Sequence, residues 1–189
     1  MFKRVSNVKN DLYEEILDVR HPSHATTGGR SMSYSVLVAV GDKKCHIGIG
    51  SGNHKELPEA RAKAIANAKK NMYRLNLMKN KTIPHPVYMK YGSAVIFMKP
   101  SMEGNGIVAG GLIRKICFLV GIKNITTKSF GSSNANNIVL AVYKAFRELK
   151  SLKNIAYKRD KNIGEIIGKI SSINIDKDIE LFKNDEDSI

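Results

Sequence analysis

The chain has no tryptophan, two cysteines among 189 residues and no run of about 18 apolar residues. The last shortage argues against a transmembrane helix. Cys45 and Cys117 stand far apart, too few for a disulfide framework or a four-ligand zinc site, and are expected as reduced, partly buried thiols. Acidic residues are scarce as well: 17 Asp and Glu face 31 Lys and Arg, a net charge of +14. The hydrophobic share is ordinary at 42%, so a disordered chain is not expected.

The charge is uneven. Residues 171–189 hold two basic and six acidic residues, leaving a strongly basic body ahead of a short acidic tail. Such a body points to a polyanion, nucleic acid before membrane. The N-terminal MFKRVSNVKN has no apolar core of a secretory signal. Lys, Ile and Asn supply 60 residues, a bias that leans toward an organelle or an AT-rich genome.

Catalytic groupings are thin. The five histidines (21, 24, 46, 54 and 85) lack metal-ligand spacing, and no Gly-x-Ser-x-Gly elbow occurs. Gly48-Ile49-Gly50-Ser51-Gly52 lacks the third glycine of a dinucleotide fingerprint. Its glycines are better read as letting a helix, or RNA, approach a strand closely. The run SMEGNGIVAGG reads as a glycine-rich turn feeding a helix N-terminus, a candidate anion site but not a Walker loop.

The expected elements run as follows. Residues 11–18 have helical spacing through Leu12, Ile16 and Val19. Tyr34 to Asp42 reads as a doubly buried strand, followed by a turn and a hairpin partner from Cys45 to Ser51. Pro58 opens a long Ala-rich helix, EARAKAIANAKKNMYRLNLM. Ala60, Ala64, Ala68, Met72 and Leu75 fall on one face of it, and Lys63, Asn67, Lys70 and Arg74 on another. The lysine-rich face suits phosphate contact. The prolines at 84 and 86 mark a strand edge or junction. A strand at Ala94 to Lys99, a helix from Ile107 to Val120 capped by Gly121, a strand at Ile122 to Phe130 and a helix from Ala135 to Leu149 follow. A weaker helix is expected at Ile163 to Ile170.

These landmarks fall in one order. Gly28-Gly29-Arg30, SVLVAVGD, IGIGSG, Glu56-Leu57-Pro58 and Ala68-Lys69-Lys70-Asn71-Met72 come first. His85-Pro86-Val87, Phe97-Met98-Lys99-Pro100, EGNGIVAGGLIR, Gly131-Ser132-Ser133-Asn134 and Lys158-Arg159 come after. From about Asp18 to Ile170 the chain resembles the small-subunit ribosomal protein S-five family, bacterial and organellar type.

The resemblance implies an α+β fold. An N-terminal double-stranded-RNA-binding-like domain (20–84) precedes a C-terminal α/β domain (85–170) with a left-handed βαβ crossover, an exception to the usual hand. Residues 1–19 are then an N-terminal extension and 171–189 the acidic tail. The implied partners are small-subunit ribosomal RNA, messenger RNA along its path into the subunit, and the neighbouring ribosomal proteins numbered four and eight. No cofactor, metal, membrane or small-molecule substrate is expected, and no catalysis. The ribosome is placed in a mitochondrial matrix, with a plastid-type organelle or a bacterial cytoplasm as alternatives.

The RNA-binding positions, from the resemblance and the basic pattern together, are Arg20, Ser23, His24, Gly28, Gly29, Arg30, Lys43, Lys44, His46, Lys55, Lys63, Lys70 and Arg74. Gly106 and Arg114 match family positions at the interface with protein four, linked to decoding accuracy. His24, Thr27, His46 and Asn53 stand where basic residues are usual, and Val95 where Arg is common. A small phosphotransferase of related topology and a free double-stranded-RNA regulator are the competing functions.

Overall fold

A computed structural model describes residues 12–78 and 81–161. The chain divides into two units, residues 1–149 and 150–189. In the first unit, β1 (Tyr13–Arg20), β4 (Tyr34–Gly41), β5 (His46–His54) and β6 (Tyr73–Arg74) form an antiparallel sheet in the order β1-β4-β5-β6. β2 (Ser23–Thr26) and β3 (Gly29–Met32) make a separate two-stranded hairpin. A second sheet has the order β7-β8-β10-β9, from β7 (Val87–Tyr91), β8 (Ala94–Pro100), β9 (Ile107–Val108) and β10 (Ile125–Gly131). Helices α1 (Leu57–Lys70), α2 (Gly111–Val120) and α3 (Ala135–Glu148) complete the unit.

The segment expected as a helix at 11–18 is instead strand β1. Its i, i+4 spacing fits both periods, since Leu12 and Ile16 also share one face of a strand. Both pack on the α1 side of the sheet, Leu17 alternates to the opposite core, and a bulge between Ile16 and Asp18 shifts the register so that Asp18 pairs with Leu37. The expected boundary after residue 19 therefore falls inside a paired strand.

The first sheet and α1 meet through small residues. Val36, Val38 and Val40 pack on Ala60, Ala64 and Ala68. A Cβ at Gly48, Gly50 or Gly52 would fall within 3 Å of α1 backbone atoms at Ala60, Ala64 or Ala68. Glycine is required there by close approach to a helix, one of the two readings of that run. α1 then ends at Lys70, short of the expected Met78. The Asn71 N–H closes the last turn, and Tyr73 enters strand β6 with its ring buried.

The helix expected from Ile107 begins only at Gly111. The β-branched pair Ile107–Val108 instead runs parallel to Ile125–Thr126. Thus β9-α2-β10 forms the βαβ unit. Gly121 ends α2 in the left-handed conformation at φ +87, as its C-cap position requires. Asn134 caps α3, its side chain accepting the Asn136 N–H. The strand expected from Ile122 starts at Ile125.

The two expected domains, 20–84 and 85–170, do not have separate cores. The inner face of the first sheet (Leu37, Ala39, Ile47 and Ile49) instead joins one cluster with Ile113, Ile116 and Leu119 of α2 and with Ile96 and Met98 of β8. Hydrogen bonds cross the same seam: Lys43 N to Leu119 O at 2.9 Å, Cys45 N to Val120 O at 3.0 Å, and Tyr143 Oη to Asn71 O at 3.1 Å.

In the second unit, α4 (Leu152–Arg159) was not expected from the sequence. Ser151 caps it by accepting the Asn154 N–H, and Asp160 closes it at φ +45. The helix expected at 163–170 and the acidic tail lie outside the described residues.

Candidate nucleic-acid interface

The β2–β3 hairpin has no core of its own. All eight of its strand residues are exposed, and Thr27-Gly28 form the tip. An isolated two-stranded hairpin is marginally stable in water, so a shape like this suits a segment that lies on something else. The structure brings five candidate residues together here: Ser23 and His24 on β2, Gly28 at the tip, and Gly29 and Arg30 on β3. Gly29 sits at φ +137, where a side chain is disfavoured, and its carbonyl accepts the Thr26 hydroxyl at 3.0 Å. Arg20 stands at the hairpin's base. Its guanidinium is already engaged, donating to Asp18 at 2.8 Å and to Asn134 at 2.7 Å.

On α1, Lys63 and Lys70 are exposed and make no ion pair among the described residues. Between them Asn67 donates to Ser51 O at 2.9 Å, so it ties the helix to β5 and is not part of a free stripe. Lys69 is paired with Glu14 at 3.0 Å. Arg74 was expected one helical turn beyond Lys70. It lies on β6 opposite His46, on the sheet edge and off the helix face. Arg61 is also exposed on α1, outside the stripe that the spacing predicts from Lys63. Lys55 is exposed in the β5–α1 connection.

The turn between β4 and β5 carries Lys43 and Lys44, with His46 opening β5, and only Lys44 of the three is exposed. Buried Asp42 organises this turn. Its carboxylate accepts the Lys44 N–H at 2.7 Å, the His46 N–H at 3.0 Å and the His46 ring Nδ1 at 2.5 Å. Burial alone would raise the Asp42 pKa. The two backbone donors and the His46 ring outweigh it and hold the carboxyl below its usual range. His46 is therefore committed to Asp42 inside the fold. Lys43 adopts φ +55 and places its ammonium 3.7 Å from the Tyr13 ring centre and 4.5 Å from that of Phe118. In the sequence Asp42 reads only as part of the Gly41-Asp42-Lys43-Lys44 turn.

Gly106 does not open a helix. At φ +70 it precedes β9, its N–H donating to Asn124 Oδ1 at 3.2 Å and its carbonyl accepting the Ile125 N–H at 3.1 Å. Arg114 is exposed on α2. It lines a cavity of about 670 Å³ with Tyr13, Glu15, Ile107, Lys115 and Phe118. Lys115 there bridges to Glu15 at 3.1 Å. Cys117 is buried and its thiol is pushed up to about 12, so it stays protonated. Burial also raises Cys45, which is only half-buried. Among the described residues no cluster of three or more His, Cys, Asp or Glu is placed to hold a metal ion. No helix among them is long and apolar enough to cross a membrane.

Residues 12–76 match the family described as ribosomal protein S5, N-terminal domain, and residues 89–159 match ribosomal protein S5, C-terminal domain. The chain belongs to the ribosomal protein S5 family. The small ribosomal subunit protein uS5 of Ehrlichia ruminantium (strain Gardel) is 43% identical over 87% of this chain and 94% of its own length. The Wolbachia pipientis wMel protein of the same name is 43% identical over 84% of this chain and 94% of its own, and that of Neorickettsia sennetsu 39% over 88% and 97%.

The S5 family's N-terminal match starts at residue 12 and so takes in β1, the strand read from sequence as an extension. The α+β architecture expected of an S5 protein is the one described above. Its two matched parts share a core, because the first sheet has one face for α1 and the other for α2.

Proposed function

We propose that this S5-family protein is a structural constituent of the small ribosomal subunit that binds its ribosomal RNA through shape and phosphate contact. The observation that carries this is the wholly exposed β2–β3 hairpin with Arg30 on it, beside a body in which Lys63, Lys70 and Lys55 are exposed. The protein lies beside the path by which messenger RNA enters. It meets ribosomal protein four around Gly106 and Arg114, where the cavity beside Arg114 offers mixed charge and an aromatic rim, and it contacts protein eight elsewhere. It supports decoding accuracy.

The phosphotransferase alternative needs a glycine-rich loop at a helix N-terminus. Gly104 and Gly106 lead into strand β9, and the Gly110-Gly111 pair that does open α2 is followed by Leu112-Ile113 with no Gly-Lys-Ser/Thr. The Lys-, Ile- and Asn-rich composition and the replaced basic positions His24, Thr27, His46, Asn53 and Val95 support a mitochondrial ribosome, and the bacterial relatives support the alternative of a bacterial one. Co-sedimentation with small subunits from fractionated cells decides both association and compartment.

RNA binding itself is tested by a salt series. For the full chain on a small-subunit RNA fragment, log affinity should fall linearly with log salt. The double variant Lys63→Ala and Lys70→Ala should bind more weakly and flatten the slope by about 1.5. An unchanged slope counts against the α1 face, and sedimentation free of subunits counts against the function.

A further inference from the structure

Residues 150–161 carry five Lys and Arg and one acid, Asp160. Within α4 itself, LKNIAYKR, three residues are basic and none is acidic. Lys158 and Arg159 lie in its last turn, where the negative end of the helix dipole accounts for them. Lys153 does not fit that account. It lies in the first turn, beside N–H groups without helical partners, where a cation is disfavoured and an acid is the usual choice.

Helical spacing sets Lys153, Asn154, Tyr157 and Lys158 on one face, turned away from buried Ala156. All four are exposed. Tyr157, at 86%, is the most open large apolar side chain among the described residues. Among those residues no side-chain hydrogen bond, ion pair or ring contact engages Lys153, Tyr157 or Lys158. The two lysines stand about 7.5 Å apart along the axis, with the ring between them.

An open ring between two unpaired cations suits a ligand that is both flat and anionic. An acidic peptide would satisfy the ammonium groups and leave the ring idle. RNA supplies phosphates and base faces together. An A-form duplex keeps its bases stacked, and its major groove is too deep and narrow for side chains to read, so the base must be unpaired.

We propose that α4 binds unpaired RNA, with Tyr157 stacked on a base and Lys153 and Lys158 holding the phosphates beside it. The proposal rests on the reading of the protein as RNA-binding and adds a surface for a different RNA shape. The hairpin and α1 address duplex shape and phosphate, and α4 addresses an exposed base.

The test uses the full chain and two labelled probes: a mixed-sequence single strand of about twelve nucleotides and a duplex of about sixteen base pairs. Tyr157→Ala should weaken single-strand binding about tenfold and leave duplex binding unchanged, and Tyr157→Phe should keep wild-type affinity for both. Lys153→Ala with Lys158→Ala should flatten the single-strand salt slope by about 1.4. Because the chain has no tryptophan, Tyr157→Trp supplies a single reporter that keeps a stacking ring. Its fluorescence should be quenched by the single strand, with the midpoint seen by anisotropy.

An indole that stays silent at saturation overturns the proposal, as does a Tyr157→Ala loss equal for both probes. Poorer entry of Tyr157→Ala into small subunits, with both RNA affinities intact, assigns α4 to a protein partner and also overturns it. Wild-type binding to the duplex alone overturns the role of α4 and leaves the ribosomal reading standing. Binding to neither probe removes both.

Discussion

Replacing Gly50 with alanine isolates the contact on which the first sheet depends. The backbone at Gly50 is ordinary strand, so alanine is conformationally acceptable there. By limiting the unfolded chain, the substitution should even gain about 0.4–1 kcal/mol. Against this, the new Cβ falls within 3 Å of Ala68 N, Ala64 O and Ala68 Cα, where ordinary contact starts at 3.4 Å. These are backbone atoms of a helix and cannot rotate away. α1 must retreat by about 1 Å, which forfeits a quarter to a half of the dispersion energy between facing atoms. The layer affected is Val36, Val38 and Val40 on Ala60, Ala64 and Ala68. Overpacking of this kind costs about 1–3 kcal/mol, and the rigid neighbour puts Gly50 at the upper end. Net destabilisation of about 2 kcal/mol lowers Tm by about 4–8 °C for a chain of this size. Thermal unfolding followed by circular dichroism measures it, with Gly28→Ala, which meets nothing within 4 Å, as the unshifted control. Adding Ala64→Gly to the Gly50 variant should not rescue it, because the colliding atoms are main-chain. Rescue, or a Tm within about 1 °C of the parent, would refute the reasoning.

Asp42→Asn should cost about 1.5–3 kcal/mol in urea unfolding, because it removes a charge-assisted acceptor for two N–H groups and a histidine ring. The Asp42 carboxyl is held low in the fold, so its contribution is full above about pH 4 and fades as pH falls through the folded value. The variant should therefore show a shallower acid limb, and an identical limb argues against the turn. Cys45 sits at φ +79, a region costly for any side chain. Cys45→Gly should raise Tm by about 2–4 °C, and a fall would mean that its half-buried sulfur packs more than the strain costs. In native protein a thiol reagent should modify Cys45 but not Cys117, and unfolding should expose both. Prompt reaction of two thiols in the folded state would contradict the burial of Cys117.

Much of the fold was legible because local signals and tertiary packing agreed. Pro58 opens α1, Gly121 and Asn134 cap helices where their chemistry suggests, and the apolar run at 36–40 is a central strand covered on both faces. The misreadings have physical causes. The segment of β1 reads as a helix because Leu12 and Ile16 satisfy both periods, and only pairing with β4 decides between them. Met72 and Leu75 continue the alanine face of α1 on paper, but burial of the Tyr73 ring and pairing with His46 and Ile47 pull the chain into β6. Ile107 and Val108 look helical until Ile125 and Thr126, which lie 18 residues later, offer them a ladder. Of the candidate site, the hairpin's residues were legible only through the resemblance that assigns Ser23, Gly28, Gly29 and Arg30 to RNA, and the pairing of β2 with β3 was not. The commitment of His46 to Asp42 and of Arg20 to Asn134 was not visible, because both depend on which neighbours the fold supplies.

The shared core has a consequence for synthesis. As the chain leaves the exit tunnel N-terminus first, residues through Arg74 can pair the first sheet and seat α1. Leu37, Ala39, Ile47 and Ile49 then face water until α2 has emerged. The nascent N-terminal half thus spends the translation of some forty further residues with a naked apolar surface on a strongly basic body, in a compartment crowded with RNA. Chaperone demand should peak in that window and end abruptly once residue 120 is clear of the tunnel.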